Sequence, residues 1–117
     1  MKLAELAKTL KLECLTPKLS AEGERDIGYG YVSDLLSDVL AHAPEGGVLV
    51  TIQAHLNMVA VALHAGLAGV ILAGGRRPDA DVIERASAEG VPLWLATEPA
   101  FDLVGRLYEL GIRGRRA

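Results

Sequence analysis

The sequence predicts an α/β domain in which a small, largely parallel sheet of about four to five strands lies between layers of helices, an α/β/α arrangement. Three observations predict it. Short apolar runs (Val48 to Ile52, Val70 to Ala73, Pro92 to Ala96) alternate with longer stretches of helical periodicity. A glycine (Gly66, Gly90, Gly111) follows each of those stretches, where a helix end favours a residue free to turn left-handed. Half of the 117 residues are hydrophobic but only 4% are aromatic, so the core is built from Ala, Val, Leu and Ile.

Residues 2–10 read as a short amphipathic helix with Leu3, Leu6, Ala7 and Leu10 on one stripe. Lys11 to Leu15 then alternates as a strand, with Leu12 and Cys14 on one side and Cys14 directed into the core. Thr16 to Ile27, polar and carrying Pro17 and Gly23, is the longest irregular stretch. Gly30 to Val32 is a short strand. Ser33 is placed to cap a helix running to about His42, with Leu35, Leu36, Val39 and Leu40 inward and Asp34 near its positive end. Pro44-Glu45-Gly46-Gly47 breaks that helix before the apolar strand Val48 to Ile52, and a helix from about His55 to Ala65 follows. After the strand Val70 to Ala73 comes a Gly-Gly-Arg-Arg-Pro turn, then a helix capped by Asp79 with Val82, Ile83 and Ala86 inward. The strand Pro92 to Ala96 leads to Thr97 as a cap and a helix over 98–110, its apolar face formed by Leu103, Val104, Leu107 and Tyr108.

One domain over residues 1–112 is expected, with 113–117 a basic tail containing Arg113, Arg115 and Arg116. A single cysteine excludes an intrachain disulfide and a multi-cysteine zinc site, and suits a cytoplasmic location. His42, His55 and His64 lack the spacing of paired metal ligands on a helix, so neither a metal nor another cofactor is expected. The net charge of −3, from 12 basic and 15 acidic residues, gives no footprint for nucleic acid or an anionic membrane. Met58 to Gly75 is apolar enough to resemble a membrane span. Gly66 and Gly69 divide it, and it reads as a buried helix, a turn and a buried strand.

In a parallel sheet the carboxyl ends of the strands share one edge, where open α/β sheets bind ligands. That edge should gather Ser33 and Asp34, Gln53, His55 and Asn57, Gly74, Gly75 and Arg76, and Thr97 as ligand-binding residues. Helix starts and the Gly74-Gly75 turn offer N–H groups to an anion, while His55 can donate to a ligand or titrate. No catalytic set is assembled. Ser33 and Ser37 lie outside a Gly-x-Ser-x-Gly elbow, and Gly28-Tyr29-Gly30-Tyr31-Val32-Ser33 lacks the third glycine of a dinucleotide turn.

Four segments resemble the DRTGG domain: Gly30-Tyr31-Val32-Ser33-Asp34-Leu35-Leu36-Ser37-Asp38-Val39, Val50-Thr51-Ile52-Gln53-Ala54-His55-Leu56-Asn57, Gly69-Val70-Ile71-Leu72-Ala73-Gly74-Gly75 and Gly90-Val91-Pro92-Leu93. The resemblance covers the chain from about Met1 to Ile112. It implies a fold similar to the N-terminal domain of bacterial HPr kinase/phosphorylase, and a regulatory role in ligand binding and dimerisation. Ala54-His55 stands where the family has Asp-Arg, and Ala73 where it has the Thr of Thr-Gly-Gly, so only Gly74 and Gly75 carry over. The expected function is a non-catalytic sensor of a small anionic metabolite or nucleotide, acting as a homodimer through the apolar helix His55 to Ala65. The alternative is a protein–protein adaptor without a small ligand.

Overall fold

The computed structural model describes residues 1–114. The basic-tail residues Arg115 and Arg116 lie outside the described residues. The elements are α1 (Leu3–Thr9), β1 (Glu13–Cys14), a 3₁₀ segment (Pro17–Glu24), β2 (Gly30–Val32), α2 (Leu36–His42), β3 (Val48–Thr51), α3 (Leu56–His64), β4 (Gly69–Leu72), α4 (Ala80–Glu89), β5 (Leu93–Leu95) and α5 (Ala100–Glu109). The sheet order is β1-β5-β4-β3-β2, with β2 to β5 parallel and β1 antiparallel to β5. This is the layered, largely parallel sheet that the apolar runs predict.

Why these runs form central strands is visible in their burial. Every residue of β3, β4 and β5 is buried, and successive side chains point to opposite faces. Val48, Val50, Ile71 and Trp94 join one core with Leu3 and Leu6 of α1 and Leu103 and Leu107 of α5. Leu49, Val70, Leu72, Leu93 and Leu95 join a second with Val39 of α2, Met58, Val59 and Ala62 of α3, and Val82 and Ala86 of α4. Three β-α-β steps run in one direction along the sheet, so one crossover hand puts α2, α3 and α4 on one face. Among the described residues helix α5 leads to no further strand, only to the bridge residue Arg113, and it folds back over the opposite face beside α1.

Several local expectations are corrected. Cys14 is exposed, because β1 is a two-residue edge strand and the inward position passes to Leu15. The 3₁₀ segment occupies most of the stretch read as irregular; ahead of it, the buried Thr16 Oγ1 accepts a hydrogen bond from the Leu93 N–H at 3.1 Å. Helix α2 begins at Leu36, so Leu35 and Leu40 are exposed instead of inward. Tyr108 is exposed as well. Arg113, assigned to the tail by sequence, pairs with Tyr29 beside β2 and accepts the Gly30 N–H at 2.8 Å. Among the described residues no helix is long and apolar enough to cross a membrane.

Candidate functional site

Parallel pairing of β2 to β5 brings the four segments 33–35, 52–55, 73–79 and 96–99 to one edge of the sheet. The predicted residues therefore share a rim, but that rim divides into three parts of different character.

The first part joins the ends of β2 and β3. Thr51 closes β3 fully buried, and its hydroxyl needs partners there. It donates to Asp34 Oδ1 at 3.0 Å and accepts the Gln53 N–H at 3.1 Å. The same Asp34 oxygen accepts the Ile52 N–H at 2.9 Å, and Gln53 Nε2 donates to the Asp34 carbonyl at 3.0 Å. Asp34 thus staples two strand ends together and does not serve the α2 terminus. Ser33 is not a helix cap either. Its Oγ accepts the Leu35 N–H at 3.2 Å in a local turn. Below it, hydrogen bonds from Tyr31 and Ser33, with His42 adding, hold the Asp38 carboxyl below the usual carboxylate range. Thr51 escaped sequence reasoning; the signal was a lone hydroxyl ending an otherwise apolar strand.

The second part lies at β4 and β5. Helix α4 leaves toward one face and α5 toward the other, which makes this the switch point where open sheets form a binding crevice. Here the protein fills it with its own backbone. Gly74 (φ +68°) and Gly75 (φ +69°) turn left-handed, as glycine does without a Cβ clash. Their N–H groups donate to Glu98 O at 2.7 Å and Ala96 O at 2.8 Å. The amides expected to meet an anion are consumed internally. Glu98 is held from behind by an ion pair with Arg106. Thr97 is exposed and does not cap α5, whose preceding residue is Pro99. Arg76 is exposed beside the turn, whereas Arg77 pairs with Glu13 at 2.6 Å across to β1, and that pair raises its pKa.

The third part is open. A cleft of about 340 Å³ separates the starts of α3 and α4, lined by Ala54, His55, Leu56, Asn57, Asp79, Asp81 and Val82. His55 precedes the first turn of α3 and Asp79 that of α4; neither side chain caps its helix. Both remain available for other partners. The cleft mixes acceptors (Asp79, Asp81) with an amide and an imidazole, which suits hydrogen-bond donors on a ligand better than a bare anion. Among the described residues no group of three or more His, Cys, Asp or Glu is arranged to hold a metal ion.

Fold and rim together define a small α/β domain whose largely parallel sheet gathers polar segments at its strand ends. No family model and no curated protein matches the chain. Among solved structures it is similar to the CBS and DRTGG domains of the regulatory region of Clostridium perfringens pyrophosphatase, complexed with the activator diadenosine tetraphosphate. The TM-score is 0.72 at 16% identity, over 89% of this chain and 44% of the other. The likeness establishes a related fold, and the chain spans less than half the length of that neighbour.

Proposed function

We propose that the chain is a non-catalytic regulatory domain of the DRTGG type that senses a nucleotide-like ligand in the cleft between α3 and α4. The observation that carries this reading is the contrast within the rim. The Asp34–Thr51–Gln53 network and the Gly74–Gly75 turn spend their polar groups internally, while His55, Asn57, Asp79 and Asp81 face an open cleft. Asp79 and Asp81 accept from sugar hydroxyls or a base amine. Arg76, three residues before Asp79, supplies the positive charge that a phosphate requires, and the His55 imidazole offers a hydrogen-bond donor. The fold shared with a regulatory region crystallised with a nucleotide activator supports the same class of ligand. The family's Asp-Arg pair is absent, so the ligand contacts differ from those of a typical member.

Calorimetric titration with AMP, ATP, diadenosine tetraphosphate and inorganic phosphate tests the reading. Saturable binding of a nucleotide, lost in both His55→Ala and Arg76→Ala, is the expected result. Binding of phosphate alone, or nucleotide binding that survives both substitutions, removes the cleft from consideration. A homodimer belongs to the same proposal. The adaptor reading draws support from the exposed Phe101 and Tyr108, and a blank titration combined with capture of a defined partner would favour it.

A further inference from the structure

The sheet is covered unequally. Three helices, α2, α3 and α4, pack on one face, and only α1 and α5 on the other. Helix α5 packs over β3 and leaves the neighbouring edge strand β2 incompletely covered on that side. The result is an apolar groove of about 140 Å³ lined chiefly by Val32, Val50, Val104, Leu107, Tyr108 and Ile112. On the same helix Phe101 is 89% exposed, the largest exposure among the apolar side chains described as exposed, with Tyr108 at 58% and Val32 at 50%. Between the two aromatics sits Gly105, where a Cβ would meet nothing within 4 Å. No packing among the described residues demands that glycine, although glycine weakens a helix interior.

We infer that this face is the surface through which two copies of the chain associate, with α5 crossing its counterpart antiparallel at Gly105 and Phe101 entering the groove of the second copy. The inference deepens the homodimer of the proposed function and does not depend on the rim ligand. Phe101 lies ~6 Å along the helix on one side of Gly105 and Tyr108 ~4.5 Å on the other. A two-fold crossing there sets each Phe101 within a turn of the opposing Tyr108 and its groove, so one patch supplies both knob and hole, as an isologous interface requires. Charge agrees with the crossing. It brings Asp102 level with the opposing Tyr108, whose ring carries the Arg113 guanidinium at 3.8 Å. Area agrees as well. With about 200 Å² for an aromatic side chain, Phe101, Tyr108 and Val32 together expose roughly 350 Å² per copy. For two copies that is about the apolar share of an interface near 1,200 Å² in total.

Sedimentation velocity from 1 to ~500 µM tests the inference, those bounds bracketing the micromolar dissociation constant that a small interface gives. The wild-type chain should dimerise. Phe101→Asp and Val32→Asp should each weaken the dimer at least ~30-fold, the effect of losing a dominant contact. Both sites are exposed in the single chain, so unchanged far-ultraviolet dichroism is the folding control. Leu63→Asp, on the exposed side of α3, should leave dimerisation intact. A dimer that survives Phe101→Asp, or one dissociated by Leu63→Asp, overturns the assignment while leaving a dimer in place. A monomeric wild type overturns both and leaves the face to a different protein. A blank nucleotide titration on an intact dimer counts against the cleft alone.

Discussion

Two halves of one rim, built from the same strand-end positions, have reached opposite solutions. At β2 and β3 and at the β4–β5 switch point, nearly every polar group is returned to the chain: Asp34 to Thr51 and Ile52, Gln53 to Asp34, the Gly74 and Gly75 amides to the Glu98 and Ala96 carbonyls. Between α3 and α4, His55, Asn57, Asp79 and Asp81 line a cleft instead. The difference teaches that position at a strand end is necessary for a binding site but not sufficient. A polar group already satisfied by its own backbone has lost most of what it could offer a ligand, because the exchange gains little. The closed half should be read in stability and the open half in binding.

The largest stability effect is expected at Thr51. Thr51→Val keeps the shape but removes a buried hydroxyl that donates once and accepts once. The Gln53 N–H loses its partner, and the Asp34 carboxylate loses a donor. A loss of about 2 kcal/mol is expected, seen as a lower midpoint in denaturant unfolding followed by Trp94 fluorescence. Nucleotide affinity per folded molecule should hold. A large loss of affinity with little loss of stability would break the division of the rim.

Next comes the Gly75 turn. Gly75→Ala forces a Cβ into a left-handed conformation at φ +69°, at a cost of about 1 kcal/mol. There is open space around it, so strain is the only penalty. A substitution without effect would show that the turn can flip and release its amides to a ligand.

On the open half the balance reverses. His55→Ala touches no hydrogen bond among those described and should change stability by less than about 0.5 kcal/mol. It should abolish the thermal shift that a nucleotide produces. A His55→Ala protein that melts several degrees lower without ligand would move His55 into the structural half.

The smallest effect concerns pH. The Asp38 carboxyl titrates below its ordinary range because Tyr31 and Ser33 donate to it, with His42 close by. A folded-state value below the unfolded one adds stability at pH above the unfolded value. That contribution fades as the pH falls through the folded value. Tyr31→Phe removes the largest cause, so its melting temperature should lie below wild type near neutrality and approach it in acid. A gap that widens on acidification would contradict the sign.

How much of this was legible in the sequence differs by element. The strands around Val50, Ile71 and Leu93 were plain, because residues buried on both faces leave an uninterrupted apolar run. The strand at Gly30 to Val32 was found as well. Cys14 was misplaced because a two-residue edge strand carries no periodicity to fix its face. Ser33 and Thr97 have the chemistry of caps, but helix starts at Leu36 and Ala100 left them outside. Ser33, Asp34, Gln53, His55, Gly74, Gly75, Arg76 and Thr97 lie in segments that reach the edge together, with Asn57 in the first turn of α3, yet their availability was invisible. Whether Gly74 has a free amide depends on Glu98, twenty-four residues away in the chain.

By itself, the sequence determined the element order, the aliphatic core and the edge at which polar residues converge, because periodicity and glycine placement are local properties that burial amplifies. Only the tertiary structure decided which face each helix covers, which rim groups are already bonded and where a cleft stays open. Those are outcomes of crossover hand and of pairing between distant segments, and no window along the chain contains both partners.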